Sequence, residues 1–144
     1  MLDHLALQCA DVEAAAAFYV RVFEACGVRE TMRFDTPHGP TVALGGPDGF
    51  PKLWLGPLVE SGDRPVHLAL TAPTRDAVDE VYFAARGRKT TILHEPRAWP
   101  EYHAGYYAVF LRDPDGNNVE AVHHTWPAAM GPSSVGSSPA GSSS

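Results

Sequence analysis

The sequence predicts an α+β fold made of two βαβββ modules, and three observations predict it. His-Leu-Ala-Leu at residues 4–7 recurs at residues 67–70. A capped amphipathic helix follows each copy, so that His4 matches His67, Asp11 matches Thr74 and Tyr19 matches Tyr82. A Pro-Asp-Gly turn then closes a hairpin late in each copy, at 47–49 and at 114–116. A repeat that returns in the same order over tens of residues marks one supersecondary unit used twice.

Each element has a local reason. Residues 2–9 are short and apolar-rich and read as a strand. Asp11 caps a helix running to about Cys26, where Gly27 supplies a left-handed terminator. Val12, Ala15, Tyr19, Val22, Phe23 and Cys26 form its apolar stripe. Strands follow at about 28–35, 40–45 and 51–56, separated by Pro37-His38-Gly39-Pro40 and Gly45-Gly46-Pro47-Asp48-Gly49. In the second copy Val66–Thr71 is the first strand, Thr74 the cap, and Val78, Val81, Tyr82 and Ala85 the stripe of a helix ended by Gly87. Its strands are expected at about 90–94, 105–112 and 117–124, with a long loop over 95–104. The modules therefore span about 1–57 and 64–126. From Pro127 to Ser144 only Ala, Gly, Pro, Ser, Met and Val remain, a composition that predicts a disordered tail.

A chain of 144 residues predicts one domain with a proper core. A net charge of −6 and the lack of a Lys/Arg patch exclude a nucleic-acid partner. No apolar run is long enough to span a bilayer, and Met1-Leu2-Asp3-His4 opens no secretory signal, so a cytoplasmic protein is expected. Cys9 and Cys26 then read as small buried apolar residues rather than a disulfide.

Alternation along the strands picks out the chemistry. His4, Ala6 and Gln8 share one face of the first strand, opposite Leu5 and Leu7; His67, Ala69 and Thr71 do the same in the second copy. Glu120 stands between Val119 and Ala121 in an apolar strand, where a buried carboxylate needs a partner or a metal. Two imidazoles and a carboxylate suit a divalent ion such as Fe, Mn, Ni or Zn. The other reading of the same residues has the histidines lining a polar cavity and Glu120 solvated or paired with one of them. In the polar and aromatic segment 94–107, Arg97 is a candidate clamp for an anionic substrate and His103 or Tyr102 a candidate general acid/base. Trp54 and Tyr107 are candidate walls of a binding groove, Trp54 being either core or cavity lining. Tyr106 reads as an ordinary sheet aromatic, and His123 and His124 as exposed strand-end residues.

Two such modules, with His on the first strand of each, Asp113-Pro114-Asp115-Gly116-Asn117-Asn118-Val119-Glu120 near the end and Glu101-Tyr102-His103-Ala104-Gly105-Tyr106-Tyr107 before it, resemble the vicinal oxygen chelate superfamily. That superfamily includes glyoxalase I, bleomycin-resistance proteins, fosfomycin-resistance enzymes, methylmalonyl-CoA epimerase and extradiol dioxygenases. The resemblance implies a curved, partly open mixed β-sheet barrel around a cavity. It also implies a homodimer and a metal held by residues of the first and last strands of each module. His4, His67 and Glu120 occupy three of those four positions. The fourth is the first-module counterpart of Glu120; counting from the Gly of each Pro-Asp-Gly turn places Leu53 there, so the four-ligand set of glyoxalase I is incomplete. The function implied is a glyoxalase-like lyase, isomerase or dioxygenase acting on a small oxygen-chelating substrate, with Glu120 in the chemistry. The alternative is a metal-free, bleomycin-resistance-like binding protein.

Overall fold

The computed structural model describes residues 1–126; segment 127–144, and the disorder expected of it, lie outside the described residues. The first half runs β1 (Leu5–Cys9), α1 (Val12–Val22), a 3-10 turn (Glu24–Cys26), β2 (Arg29–Thr36), β3 (Gly39–Gly45) and β4 (Pro51–Pro57). The second runs β5 (His67–Thr71), α2 (Arg75–Gly87), β6 (Ile92–Ala98), β7 (Tyr106–Arg112) and β8 (Asn118–His124). Each half makes one four-stranded sheet, in the orders β1-β4-β3-β2 and β5-β8-β7-β6. The first and last strands of each half pair in parallel and the rest antiparallel, which gives two mixed, curved sheets not closed into a barrel.

Both helices begin where side-chain capping dictates. The Asp11 carboxylate accepts from the Ala14 N–H at 3.0 Å and the Thr74 hydroxyl from the Ala77 N–H at 3.0 Å, each worth about 1 kcal/mol. α1 stops at Val22 and the chain tightens into the 3-10 turn before Gly27, whose φ of 77° is the left-handed turn expected of it. In α2 the ending differs from expectation. Gly87 is still helical, and Lys89 takes the left-handed position at φ 56°. The expected loop at 95–104 is also shorter, because β6 continues through Pro96 to Ala98. It can do so as an edge strand, where proline's missing donor costs no ladder bond, and register shifts flank His94.

The inward faces of both sheets and the apolar stripes of both helices form one core. Leu7, Leu44, Leu53 and Leu55 of the first half meet Val78, Val81, Leu111, Val119 and Ala121 of the second. Tyr19 and Phe23 stack within it, and Phe18 meets both edge-on. Polar ties also cross between the halves, among them the Tyr19 hydroxyl donating to Asp113 Oδ2 at 2.6 Å and the Ala10 N–H to Asp115 Oδ1 at 2.9 Å. The Asp113-Pro114-Asp115-Gly116 turn is thus anchored to the opposite module, which holds the start of β8 in place. Among the described residues no helix is long and apolar enough to cross a membrane.

Candidate functional site

The site grows from the alternation of β8. Val119 and Ala121 point into the shared core, so Asn118, Glu120 and Val122 point to the outer face of the second sheet. β8 lies between β5 and β7, so Glu120 is flanked by Ala69 on one side and Phe110 on the other and is only 1% exposed. Its carboxylate is not orphaned. The Tyr106 hydroxyl donates to Oε1, and His67 Nε2 lies 2.7 Å from Oε2. Burial, and then the bond to Glu120, push the Tyr106 phenol well above its usual range, so it stays a donor. A concavity of about 500 Å³ opens over this group, lined by His67, Tyr102, Tyr106, Phe110, Asn118 and Glu120. Asn118 Oδ1 is buried beside it without a hydrogen-bond partner.

An aromatic wall continues from there. Trp99, Ala108, Phe110 and Val122 form a second apolar cluster on this outer face, and the Trp99 indole donates to the Ala108 carbonyl at 3.2 Å. Tyr102 stacks on Trp99, and His103 and His124 stack on Trp126. His103 Nδ1 accepts from the Gly105 N–H at 3.1 Å, which leaves Nε2–H to donate to His124 Nδ1 at 2.9 Å. Gly105 has to be glycine: a Cβ there would sit 1.8 Å from the Thr125 carbonyl oxygen. That close approach brings His103 to the end of β8. Burial, and then the neighbouring His103, lower the His124 pKa.

The structure gathers some of the expected residues and separates others. Glu120, His67 and Tyr102 line one concavity, and His103 meets the Tyr106 ring edge-on at 5.5 Å between centroids. His4 is elsewhere: it precedes β1 on the first sheet, exposed, with Nδ1 against Asp3. Tyr107 points to the helix side of its sheet, where its hydroxyl donates to Asp79 at 2.7 Å and burial pushes its pKa up to about 12. Arg97 lies over the Trp99 ring and pairs with Glu101 at 2.7 Å, so its charge is already matched within the chain.

Trp54 is half-buried on the outer face of the first sheet, stacked on Phe34. It, and not Leu53, is the counterpart of Glu120. Ala6 pairs with Trp54 as Ala69 pairs with Glu120, while Leu53 faces the core. Counting from the turn misplaces it because β4 carries one extra residue, Lys52, opposite the register shift between Leu44 and Gly45. The first sheet still has no carboxylate at this position. Tyr106, Phe110 and Asn118 are the site residues that sequence reasoning missed. The signal was present for Tyr106 and Phe110: Val109 and Leu111 are the inward residues of β7, so Tyr106, Ala108 and Phe110 share the face of Glu120.

Whether these residues fit a divalent metal follows from the donors. Among the described residues no group of three His, Cys, Asp or Glu side chains is close enough to hold one ion. His67 Nε2 and Glu120 Oε2 fit two adjacent positions, since two bonds of about 2.1 Å at a right angle set their donor atoms about 3 Å apart. The chain itself therefore offers half of a site, open on its solvent side.

The family model described as the Glyoxalase/Bleomycin resistance protein/Dioxygenase superfamily matches residues 1–121. No curated protein matches the chain in sequence. Among solved structures, a glyoxylase/bleomycin resistance protein/dioxygenase domain from Frankia sp. EAN1pec superposes with TM-score 0.68 at 16% identity, covering 87% of this chain and 98% of that one. Lactoylglutathione lyase from Agrobacterium tumefaciens gives TM-score 0.61 at 26% identity, covering 83% and 90%. TioX from Micromonospora sp. ML1 gives 0.63 at 18% identity, covering 86% and 96%.

Proposed function

The chain belongs to the Glyoxalase/Bleomycin resistance protein/Dioxygenase superfamily, and from that membership we propose that it is a metal-dependent enzyme acting on a small substrate with neighbouring oxygen atoms. The convergence of His67 Nε2 and Glu120 Oε2 to 2.7 Å at the base of an open concavity carries this reading. Members of the superfamily commonly use divalent metals, and the likeness to lactoylglutathione lyase supports lyase-type chemistry on such a substrate. His67 and Glu120 would hold the ion. When bound, it supplies Lewis-acid polarisation of a substrate oxygen.

The chain's own residues do the rest. Buried Phe110 gives the concavity an apolar wall, and Tyr102 stands exposed at its rim. Asn118 lines the concavity with its Oδ1 buried and unpartnered; left unmet, such an acceptor costs about 1–3 kcal/mol. His103 and Tyr102 remain the candidates for moving a proton at the open edge. His4 enters as a ligand only from a second copy of the chain, in a homodimer that sets the first sheet of one copy over the second sheet of the other. Elemental analysis of protein reconstituted with Mn, Fe, Ni or Zn tests the reading. One ion per chain is expected in the wild type and loss in His67→Ala and Glu120→Ala; loss also in His4→Ala supports the shared site. A wild type that retains no stoichiometric metal contradicts it.

The second reading, a metal-free binding protein, is favoured by the aromatic wall of Trp99, Tyr102, His103 and Trp126. Quenching of tryptophan fluorescence by planar aromatic ligands, unchanged by chelator and by Glu120→Ala, is its signature.

A further inference from the structure

We infer that Tyr106 is a positioning residue for the Glu120 carboxylate, holding Oε1 so that Oε2 alone faces His67 and whatever binds beside it. This rests on the metal-site reading above and adds a residue to it. A carboxylate has two equivalent oxygens and rotates about its last bond, so by itself it presents either one or both to a ligand. Here the two are made unequal. Oε1 takes the Tyr106 hydroxyl, and Oε2 stands 2.7 Å from His67 Nε2. The strand register explains how Tyr106 reaches it. Tyr106 is opposite His124 and Phe110 opposite Glu120, with Ala108 between them on the same face of β7. The Ala108 side chain ends at Cβ, which leaves room for the phenol to lie along the strand toward the carboxylate.

The ring is also held from three sides. Tyr102 meets it at 5.0 Å, His103 at 5.5 Å and His124 at 5.0 Å, all edge-on. The hydroxyl is therefore aimed by packing before anything binds, which is what a partner behind a ligating group has to provide. The loop closed by Gly105 and Thr125 places His103, and so serves this contact at one remove.

Cobalt(II) is the probe, because its visible absorption bands report the number and arrangement of its ligands. The full chain is titrated as wild type, Tyr106→Phe and Glu120→Gln. Tyr106→Phe keeps the ring and its three edge contacts and removes only the donor. The expected result is cobalt affinity about 10–100-fold weaker than wild type, with a changed visible spectrum because Oε1 is freed. Wild-type affinity in Tyr106→Phe overturns the inference while leaving the metal site standing. Weaker binding with an unchanged spectrum overturns it as well, since that marks a general loosening of the fold. A wild type that binds no cobalt, and so matches Glu120→Gln, sinks the metal-site reading and the inference with it.

Discussion

At the position paired with Ala69 the second sheet holds Glu120, and at the position paired with Ala6 the first sheet holds Trp54. Both residues stand on the last strand of their module, inside a four-stranded sheet and next to a parallel first strand. Around Glu120 the outer face gathers an imidazole, a phenol and an unpartnered amide oxygen; around Trp54 it gathers Phe34 in a parallel stack. The inward faces did not diverge in this way. Leu7, Leu53 and Leu55 in one half, and Val119 and Ala121 in the other, all serve the same core. Core packing tolerates only apolar exchanges of similar volume. Outer faces are free to specialise: in this chain one copy set a carboxylate and an imidazole among its aromatic residues, and the other kept only an aromatic stack.

Substitutions at the two faces of β4 break the comparison most strongly. Leu53→Glu places an unpaired carboxylate in the shared core and is expected to cost about 3–5 kcal/mol in urea unfolding. Trp54→Glu, one residue on, faces outward and loses mainly the Phe34 stack, with an expected cost of about 1–2 kcal/mol. If Leu53→Glu were the tolerated change, the counterpart of Glu120 would be Leu53 after all.

Next in size are the repeat-related tyrosines. The Tyr19 hydroxyl is buried and donates to Asp113, whereas Tyr82 is partly exposed and donates to Glu95. Tyr19→Phe should therefore cost about 1.5–3 kcal/mol, as loss of a bond to a charged acceptor does. Tyr82→Phe should leave Tm unchanged within error. Equal effects at the two positions would show that the tie between the halves carries no special weight.

The smallest effect belongs to His124 and has no counterpart in the first sheet. Its folded pKa is lowered by burial and by His103, so the unfolded chain takes up the proton first as pH falls. The stability this histidine contributes is full above its unfolded pKa of about 6.5 and is lost as pH falls through the folded value. Tm measured from pH 7.5 to 5 should fall less steeply in His124→Gln than in the wild type. Parallel curves would contradict the assignment.

Much of the architecture was legible in the sequence because its signals are local. Asp11 and Thr74 announce helix starts, Gly27 announces an end, and two-residue alternation gives the faces of β1, β5 and β8. The pairing of Glu120 with His67 was legible too, because a carboxylate buried in an apolar strand needs a partner. The remainder depended on information the sequence does not carry locally. Tyr106 looks like any strand aromatic until β7 is set beside β8. His4 matches His67 in sequence, yet it precedes β1 of the first sheet, exposed beside Asp3, and does not line the concavity that holds His67. Trp54 was displaced from its true register by a single bulge residue, and β6 ran past its expected end because an edge strand accepts Pro96.

Anomalous diffraction from crystals grown with Mn or Zn tests the asymmetry between the sheets most directly. One strong peak per chain about 2.0–2.2 Å from both His67 Nε2 and Glu120 Oε2, with none beside Trp54, is the predicted result. No peak at the Glu120 site, or a peak on the outer face of the first sheet beside Trp54, would contradict it.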